Sequence, residues 1–129
     1  MFSLVTSKVK SLEMKQEDNE HDNLELNVNV GFSEEDDRTF IVDFKSTVLS
    51  SVGYTLYIEF ASFFETEDSI TEEFKSSYIP SVNAPAIAYP FFRTFVSNLT
   101  LNAGYDPIIL PTINFQALAK EQQKSQETD

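Results

Sequence analysis

The sequence predicts an α+β fold in which a four-stranded antiparallel sheet is followed by a long and a short helix packed on one face of the sheet. Two observations lead to this class. Apolar residues alternate with polar ones through much of residues 2–64, which is the period of a half-buried strand. From residue 86 onward they recur instead at three- and four-residue spacing, which is typical of a helix.

The clearest predicted strand is residues 24–32, where every second residue is apolar. Further strands are predicted at 39–49 and 54–64. The first strand, residues 2–14, alternates imperfectly, because its apolar residues change phase around Val9, and this suggests a bulge or bend.

Short polar links separate these strands. Residues 16–23 are expected to be a loop, the acidic run 34–37 to turn the chain, and residues 50–53 to form a turn. Sequential strands with short links most simply form an antiparallel meander.

The long helix is predicted over residues 86–102, with Pro90 near its first turn, where a proline costs least. Asn102-Ala103-Gly104 provides a C-terminal stop. Residues 70–78 are read as a short helix or an irregular link, and 106–111 as extended apolar chain.

A second, smaller helix is predicted over residues 114–123, with Phe115 and Leu118 as its apolar contacts. We expect one domain over residues 1–124 and a polar C-terminal tail over 125–129.

Composition narrows the possible functions. The chain has 129 residues, 12 Phe and 5 Tyr, so the aromatic residues fill a core, a subunit interface or a binding surface. A net charge of −12 makes nucleic acid a poor partner and allows only indirect contact with a membrane. The same charge favours basic partners. No signal peptide or membrane span is recognised near the N-terminus or beyond, so a cytoplasmic location is expected.

Catalytic and metal-binding motifs are not found in the sequence. The chain has no cysteine, and its single histidine, His21, lies in a polar stretch. The acidic run 34–37 lacks the spacing of a calcium loop, and three glycines do not make a phosphate loop. Neither enzyme activity nor a cofactor or metal is expected.

The C-terminal third resembles the SecB protein-export chaperone family. SecB proteins open their long helix with a proline, an aromatic–proline–aromatic step and an arginine, here Pro85, Tyr89-Pro90-Phe91 and Arg93. They also carry a proline-flanked apolar stretch that ends in Asn-Phe-x-Ala-Leu, here residues 114–118. The predicted strands fit the family's four-stranded sheet.

The resemblance implies a homotetramer, a dimer of dimers, whose long helices pack at the tetramer interface. It also implies that unfolded polypeptides or preproteins bind in an apolar groove between the sheet and the last helix, without ATP or another cofactor. The implied interface residues are Phe91, Phe95 and Leu99. The implied groove residues are Leu24, Leu26, Val28, Phe115 and Leu118, all of which would also suit a plain core.

SecB proteins further dock the SecA motor through an acidic outer face of the sheet. Tyr57 and Glu59 match that region. Ser11, Glu13 and Lys15 of the first strand replace a more acidic pattern, so SecA is a less secure partner than the clients.

Three functions are consistent with these observations. The first is an ATP-independent holdase for protein export. The second is a dedicated SecB-like chaperone of a single client, such as an antitoxin or a phage protein, which the poor match at the docking face favours slightly. The third is a small-molecule carrier with a pocket between sheet and helices.

Overall fold

The computed structural model describes residues 1–127 of the chain, with side chains to residue 122. The residues form two compact units, Met1–Ser69 and a second that begins at Ile70. The single domain expected over 1–124 stays a prediction. Of the tail expected at 125–129, residues 125–127 continue the last helix, and residues 128–129 lie outside the described part of the chain.

The first unit is a four-stranded antiparallel sheet, as predicted. Its strands are β1 (Phe2–Gln16), β2 (Asn23–Phe32), β3 (Thr39–Ser50) and β4 (Tyr54–Thr66). The boundaries differ from the predicted ones by at most two residues, because the alternation of apolar residues and the polar turns mark both ends of each strand.

The predicted meander is wrong for the first strand. The order in the sheet is β1-β4-β3-β2, so β1 pairs with β4 and not with β2. β1 and β4 have 15 and 13 residues and pair over nearly their whole length, from Phe2 opposite Thr66 to Gln16 opposite Tyr54. The result is a Greek key, and the β1–β2 link crosses one end of the sheet.

The predicted irregularity of β1 is confirmed. The β1–β4 register shifts between Leu4 and Thr6 and again between Val9 and Ser11. Each shift inserts one residue and returns the following apolar residues to the same face, so that Val9 lies opposite Phe60 although its phase differs from those of Leu4 and Leu12.

One face of the sheet, called the inner face below, carries the apolar core of the first unit. Phe40, Val42 and Phe44 of β3 are fully buried there, and Phe64 of β4 stacks on Phe40 with ring centroids 5.1 Å apart. Full burial of each such side chain contributes roughly 1.5–3 kcal/mol. The opposite, outer face is more polar and more exposed.

The second unit is helical. It contains α1 (Glu72–Lys75), a turn of π-helix (Ile79–Asn83), α2 (Ala84–Asn102) and α3 (Phe115–Glu127). The long and the short helix are therefore confirmed. No helix in the described residues is long and apolar enough to cross a membrane.

The observed start of α2 shows that the predicted position of Pro90, in the first turn of the helix, is wrong. The helix begins two residues earlier than predicted and follows the π-helical turn directly, so Pro90 lies inside it rather than in its first turn. A proline there leaves the Ala86 carbonyl without its usual helical donor. At the other end the predicted stop is confirmed: Gly104 has a φ of +101°, and the N–H of Tyr105 donates to the Thr100 carbonyl at 3.0 Å.

A buried row on α2 forms the core of the second unit. The Tyr89 ring meets the Phe115 ring edge-on, with centroids 5.3 Å apart, and its hydroxyl donates to the Pro111 carbonyl at 2.7 Å. Thr100 Oγ1 accepts from the N–H of Ile108 at 3.0 Å. These contacts hold the extended segment before α3 in place. The row itself comprises Ala84, Ala88, Tyr89, Phe92, Val96 and Thr100.

Candidate functional site

The predicted client-binding residues of β2 lie together on one surface. Leu24, Leu26 and Val28 point to the inner face, where their partners across the pair are Val48, Ser46 and Phe44. The side chains on β2 are half-buried, whereas those of their β3 neighbours are buried. The difference arises because β2 is an edge of the sheet. This half-buried row can contact an added apolar chain without unfolding the core.

The two predicted residues of α3 differ from each other. Phe115 is only 6% exposed and packs against Tyr89, so within the second unit it is a core residue. Leu118 is half-buried one turn later. Asn114 caps the start of this helix, since its Oδ1 accepts from the N–H of Ala117 at 3.0 Å. Leu118 is thus the more accessible of the two to a ligand.

The predicted interface row lies on a part of α2 that remains partly open to solvent. Phe91 is 56% exposed, and Phe95 and Leu99 are half-buried. Ile87 and Leu101, which were not among the predicted interface residues, are also exposed. Helical spacing could have identified Ile87 as part of this surface, because it lies four residues before Phe91 and begins the same series. Large apolar side chains on one helix face are a feature of subunit interfaces.

The predicted motor-docking residues lie on the outer face of β4, and their charge is balanced. Tyr57 is 41% exposed. Glu59 forms ion pairs with Lys10 at 3.6 Å and Lys45 at 3.3 Å, and Lys10 also pairs with Asp43 at 3.5 Å. Two carboxylates therefore face two ammonium groups, and the surface around Tyr57 is not strongly acidic.

The described surface includes two open depressions. One, of about 420 Å³, lies on the outer face beside Tyr57 and Glu59. The other, of about 320 Å³, lies between α2 and the extended segment, beside Arg93 and Ile109. Both are open to solvent, which differs from the closed pocket that a small-molecule carrier would use.

The Tyr89 hydroxyl is a hydrogen-bond donor within the second unit. Burial raises the pKa of Tyr89, and the guanidinium of Arg93, 5.9 Å from the ring centroid, acts against that rise. The hydroxyl donates to the Pro111 carbonyl, so Tyr89 contributes to packing within the second unit.

The acidic run 34–37 acts in a turn. The Asp36 carboxylate accepts from the N–H of Arg38 at 2.9 Å and from the Thr39 hydroxyl at 2.7 Å, and the first of these bonds is the main reason that its pKa is lowered. Within the described residues no three His, Cys, Asp or Glu side chains converge in a way that could hold a metal ion.

The chain matches the family of preprotein translocase subunit SecB over residues 4–126. The chain belongs to the SecB family. The match covers nearly the whole sequence, including the strand half, where the sequence resemblance rested on pattern alone.

Curated relatives within the SecB family include the protein-export protein SecB of Ehrlichia chaffeensis, which is 30% identical over 67% of this chain and 52% of its own length. SecB of Neisseria meningitidis is 27% identical over 80% of this chain and 72% of its length. An uncharacterized protein of Methanocaldococcus jannaschii is 25% identical over 83% of this chain and 76% of its length. The chain spans about half the length of the first curated relatives it matches.

Solved structures show the same fold. The SecB-like chaperone Rv1957 of Mycobacterium tuberculosis, solved in complex with a ChAD peptide from the Rv1956 HigA1 antitoxin, superposes with a TM-score of 0.69 at 19% identity, covering 87% of this chain and 90% of that one. A protein of unknown function from Streptococcus agalactiae gives a TM-score of 0.60 at 9% identity, covering 87% of this chain and 98% of that one.

Sequence reasoning missed the residues that hold the β1–β2 link. The Asn19 side-chain amide lies 3.1 Å from the Ser50 carbonyl, 2.8 Å from the Tyr54 carbonyl and 3.2 Å from Thr55 Oγ1. Asp22 Oδ1 accepts from the N–H of Ser51 at 2.7 Å. The link that leads into β2 is thus tied to the β3–β4 turn. No local sequence signal marks these long-range contacts.

Proposed function

We propose that this chain is an ATP-independent chaperone that binds unfolded polypeptide and works without catalytic chemistry, in the cytoplasm and in protein export. The observation that carries the proposal is the SecB-family match over residues 4–126. The half-buried row Leu24, Leu26 and Val28 on an edge strand supports it.

The proposed client contacts are this row in the first unit and, in the second unit, Phe115 and Leu118 of α3, of which Leu118 is the more accessible. An unfolded segment that buries roughly 1,000 Å² of apolar surface gains about 25 kcal/mol gross at 25 cal/mol per Å². Ordering the client offsets most of that gain, so the net affinity of one site is modest. A homotetramer offers several sites to one long client and raises the overall affinity through avidity.

Suppression of aggregation tests the proposal. A chemically denatured model protein is diluted into buffer with and without this chain, and light scattering is followed without ATP. We expect suppression near one tetramer per client. No suppression at tenfold excess would exclude a general holdase.

A second candidate is a chaperone dedicated to one client. It is favoured by the outer face, where Lys10 and Lys45 neutralise Glu59 and leave little negative charge for a motor to recognise. A dedicated chaperone of this kind would not bind the SecA motor.

Titration with purified SecA separates the two candidates. An export chaperone binds SecA, and the double variant Lys10→Glu/Lys45→Glu binds it more tightly because it restores negative charge around Glu59. A dedicated chaperone shows no SecA binding and protects its own client far better than a model protein.

A further inference from the structure

The depression between α2 and the extended segment before α3 has one charged residue in its wall, which is Arg93. Its volume is about 320 Å³, and all of its lining residues belong to the second unit. No residue of β2 lines it, nor does Phe115 or Leu118. It is therefore separate from the proposed client contacts.

The Arg93 guanidinium has no carboxylate partner among the described side chains. It lies over the Tyr89 ring, with its Cζ 5.9 Å from the ring centroid. Tyr89 is 4% exposed and packs against Phe115, so its ring is a fixed platform for the guanidinium. A guanidinium that is held in place and has no counterion can bind an oxyanion through two of its N–H groups.

Two polar side chains lie beside Arg93 in the same depression. Ser97 follows it by about one helical turn, and Asn98 is the next residue. Within the part of the chain that the structure describes, neither the Ser97 hydroxyl nor the Asn98 amide makes a hydrogen bond. Both groups can donate to an oxyanion that Arg93 holds.

The other wall of the depression is apolar. Ile108, Ile109 and Leu110 of the extended segment form it, and Ile109 is 80% exposed. An anion that contacts both walls carries an apolar group next to its charge. The volume is near the lower limit of the roughly 300–1,000 Å³ of ligand pockets, so the depression fits the end of a ligand and not a long chain.

Charge favours a carboxylate over a phosphate group. The net charge of −12 repels anions in general, so binding requires local pairing and apolar contact together. One guanidinium balances one carboxylate. A phosphate group, with a charge of about −1.5 to −2, would keep an unbalanced charge beside the apolar wall.

We propose that this depression binds the C-terminal carboxylate of an unfolded polypeptide whose last residue is apolar. Arg93, Ser97 and Asn98 hold the carboxylate, and the last side chain packs against Ile109. This inference rests on the proposed function and adds a site that recognises the end of a client chain. Arg93 lies about 160° around α2 from Phe91, so the site is on a different side of the helix from that predicted interface residue.

Two labelled peptides that differ only at the C-terminus test the proposal. Both are octapeptides of glycine and serine that end in two leucines, one with a free carboxylate and one with an amide. We expect the amide to bind the protein about tenfold more weakly in an anisotropy titration. Equal affinities, or no binding of either peptide at about 1 mM, would overturn the inference.

Variants assign the preference to Arg93. Arg93→Gln should abolish the difference between the two peptides, whereas Arg38→Gln removes the same charge from an exposed position of the first unit and should keep it. Ser97→Glu leaves Arg93 on Tyr89 but places a competing carboxylate about one turn away, and it should abolish the difference as well. A preference that survives in Arg93→Gln and Ser97→Glu would contradict the assigned site.

Further measurements separate other occupants and the proposed function. Displacement of the free-carboxylate peptide by decanoate at lower concentration than by N-acetylleucine would make a fatty acid the ligand and contradict the proposal. A lower mass of Arg93→Gln in light scattering would make a carboxylate of a second copy the occupant, with the same consequence. Binding of reduced, carboxymethylated lysozyme together with equal affinities for the two peptides removes only this inference. If the unfolded lysozyme does not bind, the proposed function fails and the role of the site in holding clients fails with it.

Discussion

Asn19 and Asp22 hold the link between the two edge strands, although neither belongs to a strand. Asn19 reaches backbone and side-chain oxygens on both sides of the β3–β4 turn, including fully buried Thr55. Asp22 bonds the N–H of Ser51 in the same turn. The polar composition of residues 16–23 predicted a loop, and the structure has one over residues 17–22, while Gln16 and Asn23 belong to the flanking strands. The composition did not reveal these contacts, because their partners lie about thirty residues away along the chain.

Removing the Asn19 side chain should destabilise the fold. In Asn19→Ala the Tyr54 carbonyl and the Thr55 hydroxyl lose a donor, and an unsatisfied buried polar group costs roughly 1–3 kcal/mol. We expect a loss of about this size in the free energy of unfolding, measured in urea. The control is Asn23→Ala, an exposed residue at the start of β2, which should change it by less than about 0.5 kcal/mol.

Asp22 should make stability depend on pH at the acid end. The Ser51 N–H holds the pKa of Asp22 below its ordinary value. A lowered pKa in the folded state contributes stability above the unfolded pKa of about 4, and this contribution is lost as pH falls through the folded value.

Asp22→Asn should therefore lower the melting temperature at pH 7, and the difference from the wild type should shrink as pH falls below about 4. Asp18→Asn removes the same charge and serves as the control. A difference for Asp22→Asn that stays constant between pH 7 and pH 3 would contradict the assigned hydrogen bond.

Strand alternation and helical spacing predicted each long element, because both patterns are local consequences of burying one face. The pairing partner of each strand, by contrast, is not determined by a local pattern. The choice of β4 as the partner of β1 depends on matching two long strands and on carrying a six-residue link across the sheet end, and nothing within either segment encodes it. The start of α2 was missed for a similar reason, since Ala84 and Pro85 are buried by tertiary packing and not by a helical repeat.

The exposed apolar row of α2 should control assembly. If Phe91 lies in a tetramer interface, Phe91→Glu places a charge in an apolar contact, and desolvating that charge disfavours association. We expect a tetramer mass for the wild type and a dimer mass for Phe91→Glu in multi-angle light scattering.

Ser97→Glu adds the same charge to α2 about 120° around the helix from Phe91 and should leave the mass unchanged. A monomeric wild type, or a Phe91→Glu variant that remains tetrameric, would remove Phe91 from the interface.

At the scale of the whole molecule, charge and family membership bear on partner choice. Twenty-one acidic and nine basic residues give a surface that attracts basic segments of unfolded chains. Composition predicted that nucleic acid is a poor partner, but the chaperone class came from the motif around Tyr89-Pro90-Phe91 and from residues 114–118. The client surface itself stays a prediction, because apolar strand residues such as Leu26 and Val28 suit a core and a binding row equally well.

Salt should weaken the binding of basic clients selectively. The screening length falls from about 10 Å at 0.1 M salt to about 3 Å at 1 M, while apolar contacts persist. We expect the affinity for reduced, carboxymethylated lysozyme with added cationic groups to fall over this range more than the affinity for its unmodified carboxymethylated form. Equal salt dependence would show that the net charge of −12 does not select clients.

Recognition of unfolded polypeptide can be tested by an anisotropy titration of one labelled protein in its native and its permanently unfolded form, without nucleotide. We expect saturable binding of the unfolded form, no binding of the native form, and no change on adding ATP. Equal binding of both forms, or binding of neither, would contradict the claim that this chain recognises unfolded polypeptide.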